Sequence, residues 1–276
     1  MSDFKIYKAS ELNNTQYHSE KSHWSSSNLK SLLKNTQLAY NEKVLGDTKE
    51  VSKSSQANFD DGNLAHTLIL EPELFNVEFA IFEGFRKSGK EFEIFKSIEM
   101  ESANRTIISR GQYNKVEGWV KAFFRNGTAN MLLDGCNSEM SVFGELNGMP
   151  LKARADAINI EKGYIIDLKT SGYETDLDNF KFTLESMEYD LSASLYCQMF
   201  ERAFNKPFTF YWIVLGKKSK TCDIYKMSED TRNKGTYKVR KAINLWKKCT
   251  TSGVWKDNNT LELNLNQHSD YEILEI

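Results

Sequence analysis

Three side chains near the middle of the chain, Asp156, Asp167 and Lys169, have the types and spacing for chemistry around a divalent cation. They lie in Lys152-Ala153-Arg154-Ala155-Asp156-Ala157-Ile158 and in Tyr164-Ile165-Ile166-Asp167-Leu168-Lys169-Thr170, on either side of Glu161-Lys162-Gly163. Both runs read as strands and the segment between them as a turn. Strand side chains alternate faces, so Asp156 shares a face with Arg154, and Asp167 shares one with Lys169. A turn centred on Glu161 and Lys162 sets Asp156 directly opposite Asp167. A slip of two in the pairing leaves them diagonal neighbours on the same face.

Carboxylates facing each other across a hairpin repel, and aspartate is a poor strand former. Such a conflict is expected where function overrides stability. Relief comes from a cation, from a neighbouring Lys or Arg, or from a raised pKa that keeps one carboxyl protonated. Close oxygen ligands suit a hard cation, Mg²⁺ above all, which keeps several waters and meets phosphates readily. Lys169 would then orient or help deprotonate a water, or stabilise charge building on a phosphate. The competing reading is two solvent-facing aspartates paired with Arg154 and Lys169, because D-x(10)-D-x-K is a short pattern.

The elements that must hold this hairpin are legible in outline. Residues 1 to 22 are polar and weakly periodic, an extended or loosely ordered arm. Ser25-Ser26-Ser27-Asn28 offers N-caps for a helix carrying Leu29, Leu32 and Leu33. Gly46 to Asn58 reads as a surface loop, Phe59 to Leu70 as a helix stopped near Pro72, and Glu91–Glu101 and Gly111–Phe124 as further helices. Met140 to Leu146 alternates as a strand, followed by Asn147-Gly148, a strong hairpin signal. Helical patterns return from Leu177 through Phe204, strands at Phe208–Leu215 and Cys222–Met227, and a closing helix at Thr231–Cys249. The tail after Trp255 is polar. This is an α/β order with one central sheet, read as one domain over 1–276: arm 1–22, a mainly helical part 24–125, an α/β core 138–250 and a tail 256–276.

Bulk properties set loose bounds. A chain of 276 residues, 40% hydrophobic and 27% charged, is an ordinary globular composition. No apolar run is long enough to span a bilayer, and the N-terminus lacks a secretory pattern, so the cytoplasm and no membrane partner are the expectation. Cys136, Cys197, Cys222 and Cys249 lie far apart with no CxxC pair, which argues against zinc or iron–sulfur ligation. The net charge of −2 is silent on nucleic acid, since phosphate contacts need only a local basic patch.

The motif set resembles the PD-(D/E)XK nucleases, and among them phage recombination exonucleases of the exodeoxyribonuclease VIII and lambda exonuclease kind. Asp156 followed by Asp167-Leu168-Lys169 is similar to the signature, with Ala155 where Pro is frequent. Ser25-Ser26-Ser27-Asn28-Leu29 resembles the family's Ser-rich opening, and Gly62-Asn63-Leu64-Ala65-His66 its G-x-x-x-H helix. Ser138-Glu139-Met140 resembles its Glu-led strand, Arg154-Ala155-Asp156 its R-x-D strand, and Asp167-Leu168-Lys169-Thr170 its D-x-K-T core. The ordered set spans roughly residues 25 to 205. It implies a restriction-endonuclease-like core, a central mixed sheet flanked by helices, with helical N-terminal additions.

Carried over residue by residue, the resemblance makes Asp156, Asp167 and His66 ligands of Mg²⁺, with Mn²⁺ able to substitute, and the Leu168 carbonyl a further ligand. Lys169 becomes the catalytic lysine. Glu139 would supply an outer ligand or orient a water, and Thr170 and Tyr196 would meet DNA. A helix-packing role for His66 and a plain solvated Glu139 stay open. The family's Q-x-x-x-Y helix aligns with Ser192 to Tyr196, with Ser192 where Gln is usual, which puts helix-borne site residues in doubt. The implied activity is 5′-to-3′ digestion of linear double-stranded DNA from its ends for phage-type recombination, by a trimeric or tetrameric ring with a single-strand annealing partner. The rival readings are a Cas4-like or helicase-associated nuclease and a non-catalytic DNA-binding module.

Weaker signals complete the list. Arg86, Lys87 and Lys90 form a basic loop that either tracks a phosphate backbone or is simply solvated. Arg154 contacts a phosphate or pairs with an acid beside the metal. Trp119, Phe123, Phe124, Tyr211 and Trp212 recur at positions that read as packing.

Overall fold

The strand-like segments join in one six-stranded mixed sheet. A computed structural model of the chain describes residues 4–47, 52–84, 86–102 and 105–255. The polar tail, Phe85 and residues 48–51 of the expected loop lie outside the described residues. In chain order the elements are β1 (Lys5–Tyr7), α1 (Asn14–Ser19), α2 (Ser26–Lys34), α3 (Thr36–Tyr40), a π-helical turn (Asn41–Leu45) and α4 (Lys53–Leu70). A 3-10 turn (Pro72–Leu74), α5 (Phe75–Glu78), β2 (Phe79–Phe82), α6 (Lys90–Ser102), β3 (Thr106–Ser109), α7 (Arg110–Arg125) and α8 (Gly127–Leu133) follow. The second half is β4 (Asn137–Leu146), β5 (Met149–Asn159), β6 (Tyr164–Ser171), α9 (Leu177–Ser186), α10 (Tyr189–Phe204), β7 (Thr209–Gly216), β8 (Cys222–Lys226) and α11 (Glu229–Ser252).

The sheet order is β1-β4-β5-β6-β7-β8; β6 and β7 run parallel and every other neighbouring pair antiparallel. This is the expected central mixed sheet flanked by helices. The β4–β5 hairpin closes through Asn147 and Gly148, whose φ angles of 50° and 80° are those its two-residue turn demands. Helix α2 opens with a capping box between Ser25 and Asn28. No helix among the described residues is long and apolar enough to cross a membrane.

Helices cover both faces of the sheet. On one, Leu29 and Leu32 of α2, Leu191, Leu195 and Phe200 of α10, and Val239 and Ile243 of α11 pack on Leu151, Ala153, Ala155, Ile165 and Phe210. On the other, Leu64 and Ile69 of α4 and Val116, Trp119 and Phe123 of α7 pack on Ala157, Ile166, Leu168, Ile213 and Leu215. Strands β6 and β7 are thus buried on both sides, which is why they read as nearly continuous apolar runs. Helices α10 and α11 approach so closely that a Cβ at Gly235 would fall 2.1 Å from the Asp190 carbonyl oxygen.

Four expectations need correction. The N-terminal arm is ordered: β1 pairs with β4, and α1 lies against β5. Lys152 and Arg154 are buried, and their donors need acceptors; the Tyr17 and Glu20 carbonyls take Lys152 Nζ at 2.6 and 2.7 Å, and the Leu12 carbonyl takes Arg154 at 3.0 Å. Helix α4 begins six residues early, at Lys53, because Ser52 caps it by accepting from the Ser55 N–H. The short parallel pair β2–β3 was not expected; four-residue strands leave too little periodicity to read. Phe124 is exposed rather than packed, whereas Trp119, Phe123 and Trp212 are buried as expected.

Candidate metal centre

The β5–β6 ladder has the register set by the turn, with Ala157 opposite Ile166, Ile158 opposite Ile165 and Asn159 opposite Tyr164, and there it ends. One residue further, Asp156 and Asp167 form no ladder pair. The Leu168 N–H, left without a strand partner, needs an acceptor, and the Asp156 carboxylate supplies it at 2.7 Å. β5 is distorted at this point: Ala153 and Ala155 face one core and Ala157 the other, where strict alternation would keep all three together.

Strand β4 is distorted opposite. The ladder passes from Ser138↔Ala157 to Met140↔Ala155 and skips Glu139. Glu139 has φ of 52°. A left-handed conformation costs a residue with a Cβ roughly 1–2 kcal/mol, a strain found chiefly at working sites.

His66 comes from α4, whose Leu64, Ala65 and Ile69 anchor it on the sheet. Its Nε2 lies 3.0 Å from the Leu168 carbonyl oxygen and its Nδ1 lies 3.6 Å from Asp156 Oδ2. A carbonyl only accepts, so Nε2 carries the hydrogen. In the neutral ring, the Nδ1 lone pair then faces a carboxylate oxygen, an arrangement that calls for a cation or a second ring proton. His66, Glu139 and Asp156 each offer one ligand atom, and these atoms all lie within 4.8 Å of one another. One imidazole nitrogen and two carboxylate oxygens make a donor set that fits a divalent ion such as Mg²⁺ or Mn²⁺.

The electrostatics point the same way. Burial, then the nearby Asp156, push the Glu139 carboxyl up to about 7 against the opposing pull of Arg154. Asp167 is also raised, by burial and by Asp156, although Lys169 opposes. Lys169 Nζ lies 2.6 Å from Asp167 Oδ2. Burial works against its ammonium, but Asp167 and Asp156 outweigh that and hold its pKa above the usual lysine value. With all three ionised, the carboxylates of Glu139, Asp156 and Asp167 face two cations, Arg154 and Lys169, which leaves one negative charge for a bound ion to neutralise.

The remaining expected residues sort as follows. Asp167 stands beside the trio, bound by Lys169, and is not one of the three gathered ligand atoms. The Leu168 carbonyl faces His66. Arg154, 8% exposed, pairs with Glu139 at 2.5 Å and also meets Leu12 and Ser141, so it takes the acid-pairing role of its two expected ones. Thr170 sits half-buried on β6 opposite Leu215. Tyr196 and Ser192 are half-buried on α10, with the Tyr196 hydroxyl beside Ser26 and its pKa raised by burial, Tyr17, Asp167 and Asp156. Arg86, Lys87 and Lys90 accompany the β2–β3 pair, where Lys87 Nζ donates to the Ile107 carbonyl at 2.9 Å.

Two residues at this centre escaped sequence reasoning. The Tyr189 ring receives Lys169 at 5.2 Å and Lys30 at 5.4 Å from its centroid. Burial, then Lys169, bring the Lys30 pKa down to about 8. Lys30 lies one turn beyond Ser26 on α2, and no pattern in the chain connects it to β6.

Comparison with known proteins bears on family and fold. The profile of the family described as "PDDEXK-like domain of unknown function (DUF3799)" matches residues 25–260. No curated protein matches the sequence. A crystal structure of a presumed exonuclease from Eubacterium rectale superposes with TM-score 0.64 at 14% identity, covering 92% of this chain and 96% of the other. A phage-related exonuclease from Haemophilus somnus overlaps more loosely, with TM-score 0.35 at 12% identity over 86% of this chain and 99% of the other.

Proposed function

The chain belongs to the PDDEXK-like family whose profile it matches, and from that premise we propose that it is a metal-dependent deoxyribonuclease, an exonuclease of linear double-stranded DNA. The observation that carries this reading is the meeting of His66, Glu139 and Asp156 where β5 and β6 part, beside the Asp167–Lys169 pair. The reading takes residues 1–276 as a single nuclease domain.

His66, Glu139 and Asp156 would hold the ion, Mg²⁺ with Mn²⁺ able to replace it. When bound it would supply Lewis-acid charge to the scissile phosphate and make a neighbouring water more acidic. Without the ion, Asp167 and Asp156 raise the Lys169 pKa. Its ammonium would stabilise charge building on the phosphate or orient the attacking water. Asp167 positions that ammonium from 2.6 Å. Arg154 restrains the Glu139 carboxylate, and the Leu12 carbonyl restrains Arg154. The N–H of Leu168 fixes Asp156 by donating to its Oδ2.

Digestion from 5′ to 3′, a role in phage-type recombination, a ring-shaped homo-oligomer and an annealing partner rest on the resemblance of the motif set. The test is incubation with end-labelled linear duplex and closed circular DNA, in Mg²⁺ or in EDTA. Loss of the linear form alone, and only with metal, is expected. Cutting of circles would make the protein an endonuclease, and an absence of cleavage would leave a DNA-binding module.

A further inference from the structure

The chain carries a net charge of only −2, so any surface for a polyanion must be local. One stands out on the α7 side of the sheet. Gly216-Lys217-Lys218-Ser219-Lys220-Thr221 joins β7 to β8 and holds three lysines in four residues. The Lys217 N–H donates to the Ser171 carbonyl at 2.9 Å, and Ser171 ends the strand that carries Lys169. The basic loop is thereby fastened to the strand at the acidic centre.

The cluster is built rather than scattered. Lys115 and Lys217 each place Nζ 5.6 Å from the centroid of the buried Trp119 ring, and Trp119 Nε1 donates to the Lys217 carbonyl at 3.0 Å. Lys220 adopts a left-handed φ of 54°, and its stem passes over Gly118 of α7, where an added Cβ would already touch Cε at 3.4 Å. Asp61 reaches in to accept from Lys115. Burial lowers the Lys217 pKa; Asp61 opposes this and Lys115 adds to it. Lys218 and Lys220 are exposed, and among the described residues neither pairs with a carboxylate. Lys115 and Lys217 thus gather around Asp61, and Lys218 and Lys220 add two exposed cations in the same loop.

The distance to the centre suits a nucleic acid. Lys217 Nζ donates to Asn58 Oδ1 at 3.1 Å, and Asn58 stands eight residues before His66 on the same helix. Eight residues of α-helix span about 12 Å. Phosphates advance about 3.4 Å per nucleotide along one strand of a duplex, so the interval is roughly three to four nucleotides.

We propose that Lys115, Lys217, Lys218 and Lys220 form the surface that grips the phosphate backbone of duplex DNA roughly three to four nucleotides from the bond at the acidic centre. This rests on the nuclease reading. The test uses full-length Lys169→Met protein with Mg²⁺ and a fluorescent 30-base-pair duplex, following anisotropy as KCl is raised. Replacing Lys217, Lys218 and Lys220 by Gln should lower the slope of log K against log[KCl] by about 2 to 3, near 0.9 per lost contact, and weaken binding at least about tenfold at roughly 100 mM salt. The same three changed to Arg should keep the slope, which separates lost charge from lost folding. Lys241→Gln, Lys247→Gln and Lys248→Gln on α11, across the sheet, should leave it unchanged. Equal slopes for the loop Gln variant and its parent would overturn this surface while the nuclease reading stands. A parent that binds no duplex would overturn both.

Discussion

Because Glu139 titrates near neutrality, metal binding should be coupled to protons across a range where ordinary carboxylates are silent. Burial and Asp156 hold its carboxyl near 7, against an ordinary 4.5. A ligand must be ionised to bind. Below pH 7 the ion therefore competes with a proton on Glu139, and apparent affinity should fall about tenfold per pH unit, 1.36 kcal/mol each. Above pH 8 it should level off. Near pH 7 about half a proton should leave Glu139 for each ion bound. Titration calorimetry with Mn²⁺ in two buffers of different ionisation heat counts those protons. Glu139→Gln is the control: it should bind more weakly and release fewer protons. Stability has the opposite sign without metal. The folded pKa lies above the unfolded one, so the Glu139 contribution is full at low pH and fades as pH rises through about 7; saturating Mn²⁺ should erase that loss. Equal proton counts for wild type and Glu139→Gln would refute the reasoning.

Arg154→Met leaves the buried Glu139 carboxylate without its partner. It should cost about 3–5 kcal/mol in urea unfolding above pH 7, less in acid, with partial recovery in the Arg154→Met/Glu139→Gln double variant. A cost below about 1 kcal/mol would show that the pair does not hold the strands. Lys169→Met should abolish cleavage while calorimetric Mn²⁺ affinity stays within a few-fold; retained turnover would remove the lysine from the chemistry. Gly235→Ala gains about 1 kcal/mol of helix propensity but forces α10 and α11 apart, at a cost of about 1–3 kcal/mol. Thermal melts should therefore show net destabilisation, and a higher melting temperature would contradict the close approach of these helices.

How far the site could be read from sequence depended on how local its causes are. The β5–β6 register was legible because the turn residues and the apolar alternation set it together. The end of that ladder at Ala157 was not, since it depends on Asp156 taking over the Leu168 N–H. That the N-terminal arm covers Arg154 was not legible, because the Leu12 and Tyr17 contacts that order the arm come from residues more than a hundred positions away. His66 and Glu139 entered only through resemblance to known motifs. Nothing in their immediate neighbours announces that α4 and a left-handed residue in β4 will meet Asp156. Lys30 and Tyr189 left no trace at all, because their meeting over Lys169 is tertiary.

Diffraction from crystals soaked in Mn²⁺, recorded for anomalous scattering, tests the metal centre most directly. A single strong peak within ligand distance of His66 Nδ1, Glu139 and Asp156 is the expected result. A peak held by other residues, or none at saturating Mn²⁺, would mean that these three side chains meet for a reason other than an ion.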